Sequence, residues 1–144
     1  MRAFFDTPYW IEAHPIHGYS VEYSEPQLFT PHRHQEGKLI YAEIGAVVIA
    51  TEQRRWAIAP GRALWVSPGI RHWTRTVHAV RMHSVLIDRT AEKYLPTNCR
   101  YVSVSALLLE LIKVTAVPPG AGRVTDREKA LAALLVHELN ATAA

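Results

Sequence analysis

Residues 30–45 read TPHRHQEGKLIYAEIG, with His32 and His34 one residue apart ahead of an alternating apolar run that closes at Gly45. Reading this stretch as a strand decides the fold. Side chains along a strand alternate between faces, so positions i and i+2 point the same way. His32 and His34 would then present two imidazoles to one side, which is a chelating geometry.

The same texture extends outward. Between about residue 18 and residue 104 the runs YSVEYS, KLIYAE, AVVIAT, RWAIA, RALWVS, HWTRTV and RMHSVLI favour strands and are separated by turn residues. A spacing of roughly 8 to 12 residues is that of an all-β sandwich or barrel. Breaks fall at Gly45, at Glu52-Gln53, at Pro60-Gly61 and at Pro68-Gly69, where Pro fixes φ and Gly accepts a positive one. The turn SPGIRH then delivers His72, a third imidazole on a neighbouring strand.

After Val104 the period changes. In SALLLELIKVTAV, Ser105 is an available N-cap and Leu108, Leu111, Ile112 and Thr115 form one helical stripe. In TDREKALAALLVHELN, Thr125 and Glu128 have capping-box spacing, Leu131, Leu134 and Leu135 make the stripe, and Asn140 is a stop. Helices are expected at about residues 105–116 and 126–140, with VPPGAG as the turn between them. Two amphipathic helices after a β domain can cover a sheet edge or pack on a second copy.

The totals agree with one domain. A chain of 144 residues, 49 % hydrophobic and 20 % charged, is long enough to bury a core and too short for two ordinary ones. The single Cys99 cannot form an intramolecular disulfide, and MRAFFDTPYW lacks the apolar core and cleavage site of a secretory signal. A cytoplasmic protein is expected. No apolar run approaches the roughly 20 residues that span a bilayer, so no membrane role is expected. The net charge of +3 is spread over scattered arginines, among them Arg54, Arg62, Arg75 and Arg89, which is the pattern of a solvated surface. No recognition helix or zinc-finger spacing is present, so this chain alone is not expected to bind DNA. The nucleophile-elbow, phosphate-loop and dinucleotide signatures are also missing.

The combination of His-x-His, Gly45, Gly61 and Pro-Gly-x-x-His resembles the cupin superfamily over Gly18 to Ile87. His32, His34 and Gly45 fit its first motif, and Gly61, Gly69 and His72 its second. Two positions depart from it. Lys38 stands where an acidic metal ligand is expected, and Ser67 where the first proline of the second motif is expected. A cation in place of a carboxylate repels a metal, so the complete four-ligand centre is not present. Taken with LPTNCRYVSVSALLLELI and REKALAALLVHEL, nearly the whole chain looks like the N-terminal sensor domain of AraC-type bacterial transcription regulators.

That resemblance implies a mostly β fold: a cupin-type β-barrel, or double-stranded β-helix, over residues 1–104, and a helical hairpin over 105–144 within one structural domain. It implies a small-molecule effector inside the barrel, a homodimer formed through the C-terminal helices, and DNA binding by two helix-turn-helix units that this chain stops short of. His32, His34 and His72 are the candidate ligands of one divalent transition metal (Zn, Ni, Fe or Mn). Lys38, Tyr41, Trp65 and His83 are the candidate effector contacts. Other residues take plainer readings: core for Trp56, surface for Arg81 and His78, and a structural thiol for Cys99. The rival is a small metal-dependent cupin enzyme, a dioxygenase or isomerase, against which Lys38 counts.

Overall fold

The computed structural model describes residues 16–32, 35–116 and 125–141, with the backbone alone at 32, 90 and 92. Among these residues the strands follow in order as β1 (His17–Tyr23), β2 (Leu28–His32), β3 (Gly37–Ile44), β4 (Val47–Thr51), β5 (Arg55–Ile58), β6 (Arg62–Val66), β7 (His72–Thr76), β8 (Val80–Ile87) and β9 (Arg100–Ser103). Two helices close the chain, α1 (Ala106–Thr115) and α2 (Asp126–Ala141). The mostly β fold with two C-terminal helices is the one expected from the sequence.

The strands form two antiparallel sheets, ordered β1-β8-β3-β6-β9 and β2-β7-β4-β5. Apart from the β4–β5 hairpin and the step from β8 to β9, sequence neighbours alternate between the sheets, and early strands pair with late ones. This is the eight-stranded jelly roll on which cupins are built, with β9 added at one edge. Between the sheets lie Ile40, Ala42, Val47, Ile49, Ile58, Leu64 and Val66. The outer face of the five-stranded sheet carries Leu39, Tyr41, Ala63, Trp65, Val85 and Ile87, which pack with Leu108, Leu111 and Ile112 of α1 and Leu135 and Leu139 of α2. The molecule is therefore three layers deep: sheet, sheet, helices. Strand β3 lies in the middle layer and is buried without a break from Gly37 to Ala42.

The helix caps are the ones the sequence specifies. Ser105 Oγ accepts a hydrogen bond from Leu108 N at 3.1 Å, and Thr125 Oγ1 accepts one from Glu128 N at 3.1 Å. In α2 the buried stripe runs Ala132, Ala133, Leu135, Val136 and Leu139, while Leu131 and Leu134 are only partly buried. The stripe is thus rotated toward the small residues, which let the helix approach the layer beneath. A 3₁₀ turn over Arg89–Tyr94 has no periodic signal in the sequence and rests on local bonds such as Ala91 N–H to Asp88 O at 3.0 Å. No helix of the described residues is long and apolar enough to cross a membrane.

The corner between β3 and β4, where the chain passes from one sheet to the other, needs its glycine twice over. Gly45 has φ +88°, and a Cβ there would collide with the Ala79 carbonyl oxygen and sit 3.1 Å from Val80 Cα. Gly69 has φ +82° with nothing within 4 Å of the same position. Gly69→Ala is expected to cost only the left-handed backbone penalty, about 1–2 kcal/mol. Gly45→Ala should cost about 1–3 kcal/mol more because it also overpacks the corner. Urea unfolding of the two variants checks this through the order of their midpoints.

Candidate functional site

The two sheets do not fill the space between them completely. Toward the β1 and β2 edge they leave a cavity of about 210 Å³. Strand alternation decides what lines it. Tyr19, Val21 and Tyr23 come from β1, Met82 and Ser84 from β8, Lys38 and Ile40 from β3, Phe29 from β2 and Thr74 from β7. Tyr23 and Phe29 lean together with ring centroids 5.7 Å apart. Tyr19, 44 % exposed, stands at the mouth. The lining is aromatic and aliphatic with two aliphatic hydroxyls, Thr74 and Ser84, the phenols of Tyr19 and Tyr23, and a single formal charge.

That charge is Lys38. Its side chain is 9 % exposed, and its Nζ lies 5.8 Å from the centre of the Tyr19 ring, near the outer limit of a cation–π contact. The described cations that do hold carboxylates are elsewhere: Arg81 on Glu22 at 2.7 Å, Lys113 on Glu43 at 3.1 Å and Arg71 on Glu52 at 3.8 Å.

The other sequence candidates take different places. Tyr41, Trp65 and His83 face away from the cavity, on the outer side of the five-stranded sheet. Tyr41 Oη accepts the Gly61 N–H at 2.8 Å, and the Trp65 indole N–H donates to Pro96 O at 3.0 Å with Trp65 fully buried. Parity explains the division: Lys38 and Tyr41 are three apart on one strand and so lie on opposite faces. The cavity residues missed from the sequence, Tyr19, Val21, Tyr23, Phe29, Ile40, Thr74, Met82 and Ser84, carried one readable signal. The Tyr-x-Val-x-Tyr alternation of β1 marks an inward face.

Of the three histidine candidates, His34 lies outside the described residues. His32 sits directly opposite His72 in the β2–β7 ladder and adjoins a register shift after Phe29. His72 is 1 % exposed and shares the face of β7 that carries Thr74. Its Nδ1 lies 3.0 Å from Ile70 O. A carbonyl can only accept, so Nδ1 carries a proton, and in the neutral ring the lone pair is then on Nε2, the orientation a metal ligand needs. Among the described residues no group of three His, Cys, Asp or Glu side chains is placed to hold a metal, and Lys38 brings positive charge to the same inter-sheet space.

His83 belongs to a polar cluster instead. Its Nε2 is 2.8 Å from Glu43 Oε1 and its Nδ1 2.6 Å from Ser20 Oγ. The other oxygen of Glu43 meets Lys113 Nζ of α1 at 3.1 Å. With His83 5 % exposed and Glu43 19 % exposed, the cluster runs from β1 through β8 and β3 to the helix layer. The hydrogen bond from the His83 imidazole holds the Glu43 carboxyl below its ordinary value; burial opposes this and Lys113 assists it.

Comparison with known proteins agrees with this geometry. Residues 15–135 match the family model of the AraC-like ligand binding domain. The HTH-type transcriptional regulator NimR of Escherichia coli (strain K12) is 28 % identical over 124 residues, which is 86 % of this chain and 44 % of that protein. The chain thus spans less than half the length of that curated relative. ToxT from Vibrio cholerae O395, solved with (E)-4-(8-methylnaphthalen-1-yl)but-3-enoic acid, has a TM-score of 0.63 at 7 % identity, covering 88 % of this chain and 56 % of that one. Wild-type ToxT of strain SCE256, solved with an unsaturated fatty acid, gives 0.59 at 5 % identity, with 88 % and 53 % covered. At these identities the likeness to ToxT is one of fold.

A carboxyl whose titration is depressed by folding contributes stability above its unfolded pKa and loses it as pH falls through the folded one. The stability gap between wild type and Glu43→Gln is therefore expected to be widest near about pH 7 and to close toward about pH 3. Urea titrations of both proteins at the two pH values measure the gap. A gap that does not change with pH would mean that Glu43 is not held ionised by His83 and Lys113.

Proposed function

The chain belongs to the AraC-like ligand-binding domain family, and from that premise we propose that the inter-sheet cavity receives a small-molecule effector whose binding is relayed through β1 to α1. The observation that carries this reading is the double role of β1. Its inward side chains Tyr19, Val21 and Tyr23 wall the cavity, while its outward face meets α1. Gly18 lies so close to Thr115 that a Cβ there would collide with the Thr115 hydroxyl, and Ser20 opens the polar chain His83–Glu43–Lys113.

Residues on the two faces of each strand are neighbours in sequence. Tyr19 precedes Ser20 on β1, and His83 lies between Met82 and Ser84 on β8. A ligand that displaces the backbone of β1 or β8 carries the outer side chains with it. It shifts the balance between two helix arrangements only by the difference in its affinity for them. The carboxylic acids bound in the ToxT structures support small-molecule occupancy of this fold.

The proposal extends to the longer protein. In a full-length regulator of this kind two copies would pair through α1 and α2, and helix-turn-helix units of the kind that the name of the NimR relative prints would bind DNA. A metal is a separable part of the reading. His72 with Nε2 as its lone-pair nitrogen, and His32 opposite it in the ladder, would supply neutral nitrogen donors for a divalent transition ion together with His34. The ion's task there would be to fix the barrel mouth or bind an effector donor atom.

Two measurements test these parts. The chain has two methionines, Met1 and Met82, so a ¹³C-methyl-methionine spectrum isolates the cavity wall. Library compounds that shift the Met82 methyl are expected also to shift the backbone amides of Leu111 and Lys113 in α1. A library without any compound that moves Met82, or hits that leave α1 unmoved, would defeat the sensing relay. For the metal, elemental analysis of protein purified without added ion should find about one equivalent per chain, lost in His72→Ala. Less than a tenth of an equivalent in wild type would remove the metal from the proposal.

A further inference from the structure

We infer that the effector is a compact organic monoanion, a carboxylate on an aryl or short acyl body, anchored by the ammonium of Lys38. The inference rests on the sensing reading above and adds the chemical class of the ligand. Lys38 is nine-tenths buried against the cavity. Taking an ammonium out of water is unfavourable unless it is paired. Every other residue lining the cavity is neutral, and among the described residues no carboxylate lies within ion-pair distance of Nζ. The missing counter-charge has room to come from outside the protein.

The surroundings of that charge narrow the class. One ammonium balances one negative charge, which fits a monoanion better than a phosphate monoester. The hydroxyls of Ser84 and Thr74 line the same cavity from opposite sheets and are donors for the carboxylate oxygens. Val21, Ile40, Met82 and Phe29 offer only apolar contact, so the rest of the molecule is hydrocarbon. The volume of about 210 Å³ falls below the roughly 300–1,000 Å³ of drug-sized sites, which limits that body to a single ring or a short chain. The sign of the site is also reversed from the cupin pattern: the position expected to offer a carboxylate to a metal here offers a cation.

The test uses matched pairs of one shape and two charges: cinnamate with cinnamamide, and octanoate with octanamide. Titrations followed at the Met82 methyl are expected to give each acid an affinity about tenfold or more above its amide, the scale of a charge-assisted hydrogen bond. The preference should vanish in Lys38→Met, which keeps an unbranched side chain and removes its ammonium, and return in Lys38→Arg. Unliganded Lys38→Met should be at least as stable to urea as wild type, since it removes an unpaired charge. Marked destabilisation would reveal an internal partner and overturn the inference. Equal binding of acid and amide, a preference that survives Lys38→Met, or no response to any of the four also overturns it. Amides that bind as well as acids and still shift α1 would leave the sensing reading standing; no response from Met82 to a broad library would remove that reading as well.

Discussion

Strand β3 is buried on both faces, and the rest of the structure depends on that constraint. A strand in the middle layer cannot turn a polar side to water, so each residue from Gly37 to Ala42 must serve the inter-sheet space or the helix layer. Leu39 and Tyr41 go to the helices, Ile40 and Ala42 to the barrel. Without α1 and α2, the outer face of the five-stranded sheet would expose Leu39, Trp65, Val85 and Ile87 as one apolar surface, of a kind that soluble monomers rarely leave open. The helices are thus part of the fold and cover the sheet that walls the cavity.

Much of this was legible in the residues because it is local. The Pro-Gly and glycine corners, the caps at Ser105 and Thr125 and the β-branched runs act over a few positions, and each appears where the sequence puts it. Strand β2 was harder to read because Pro31 interrupts it. It lies at the edge of its sheet, where a missing N–H is tolerated. The rotated stripe of α2 escaped for a different reason: helical periodicity weighs large apolar residues, whereas Ala132 and Ala133 are buried because they are small.

The site was legible in part, and parity is the reason. Periodicity shows which residues share a face but not which face is the lumen when both are apolar. Lys38 reached the cavity, while Tyr41, Trp65 and His83 went to the opposite side. His83 joins Ser20, Glu43 and Lys113 across three strands and a helix. An imidazole that looked like a pocket residue in one dimension thus sits one strand thickness from the pocket.

Strand β1 has a single hydrogen-bonded neighbour among the described strands, β8. A rim element held along one margin can peel back by breaking one ladder, where an interior strand must break two. Opening the cavity wall along this margin therefore costs less than displacing β3 or β8 from the middle of the sheet.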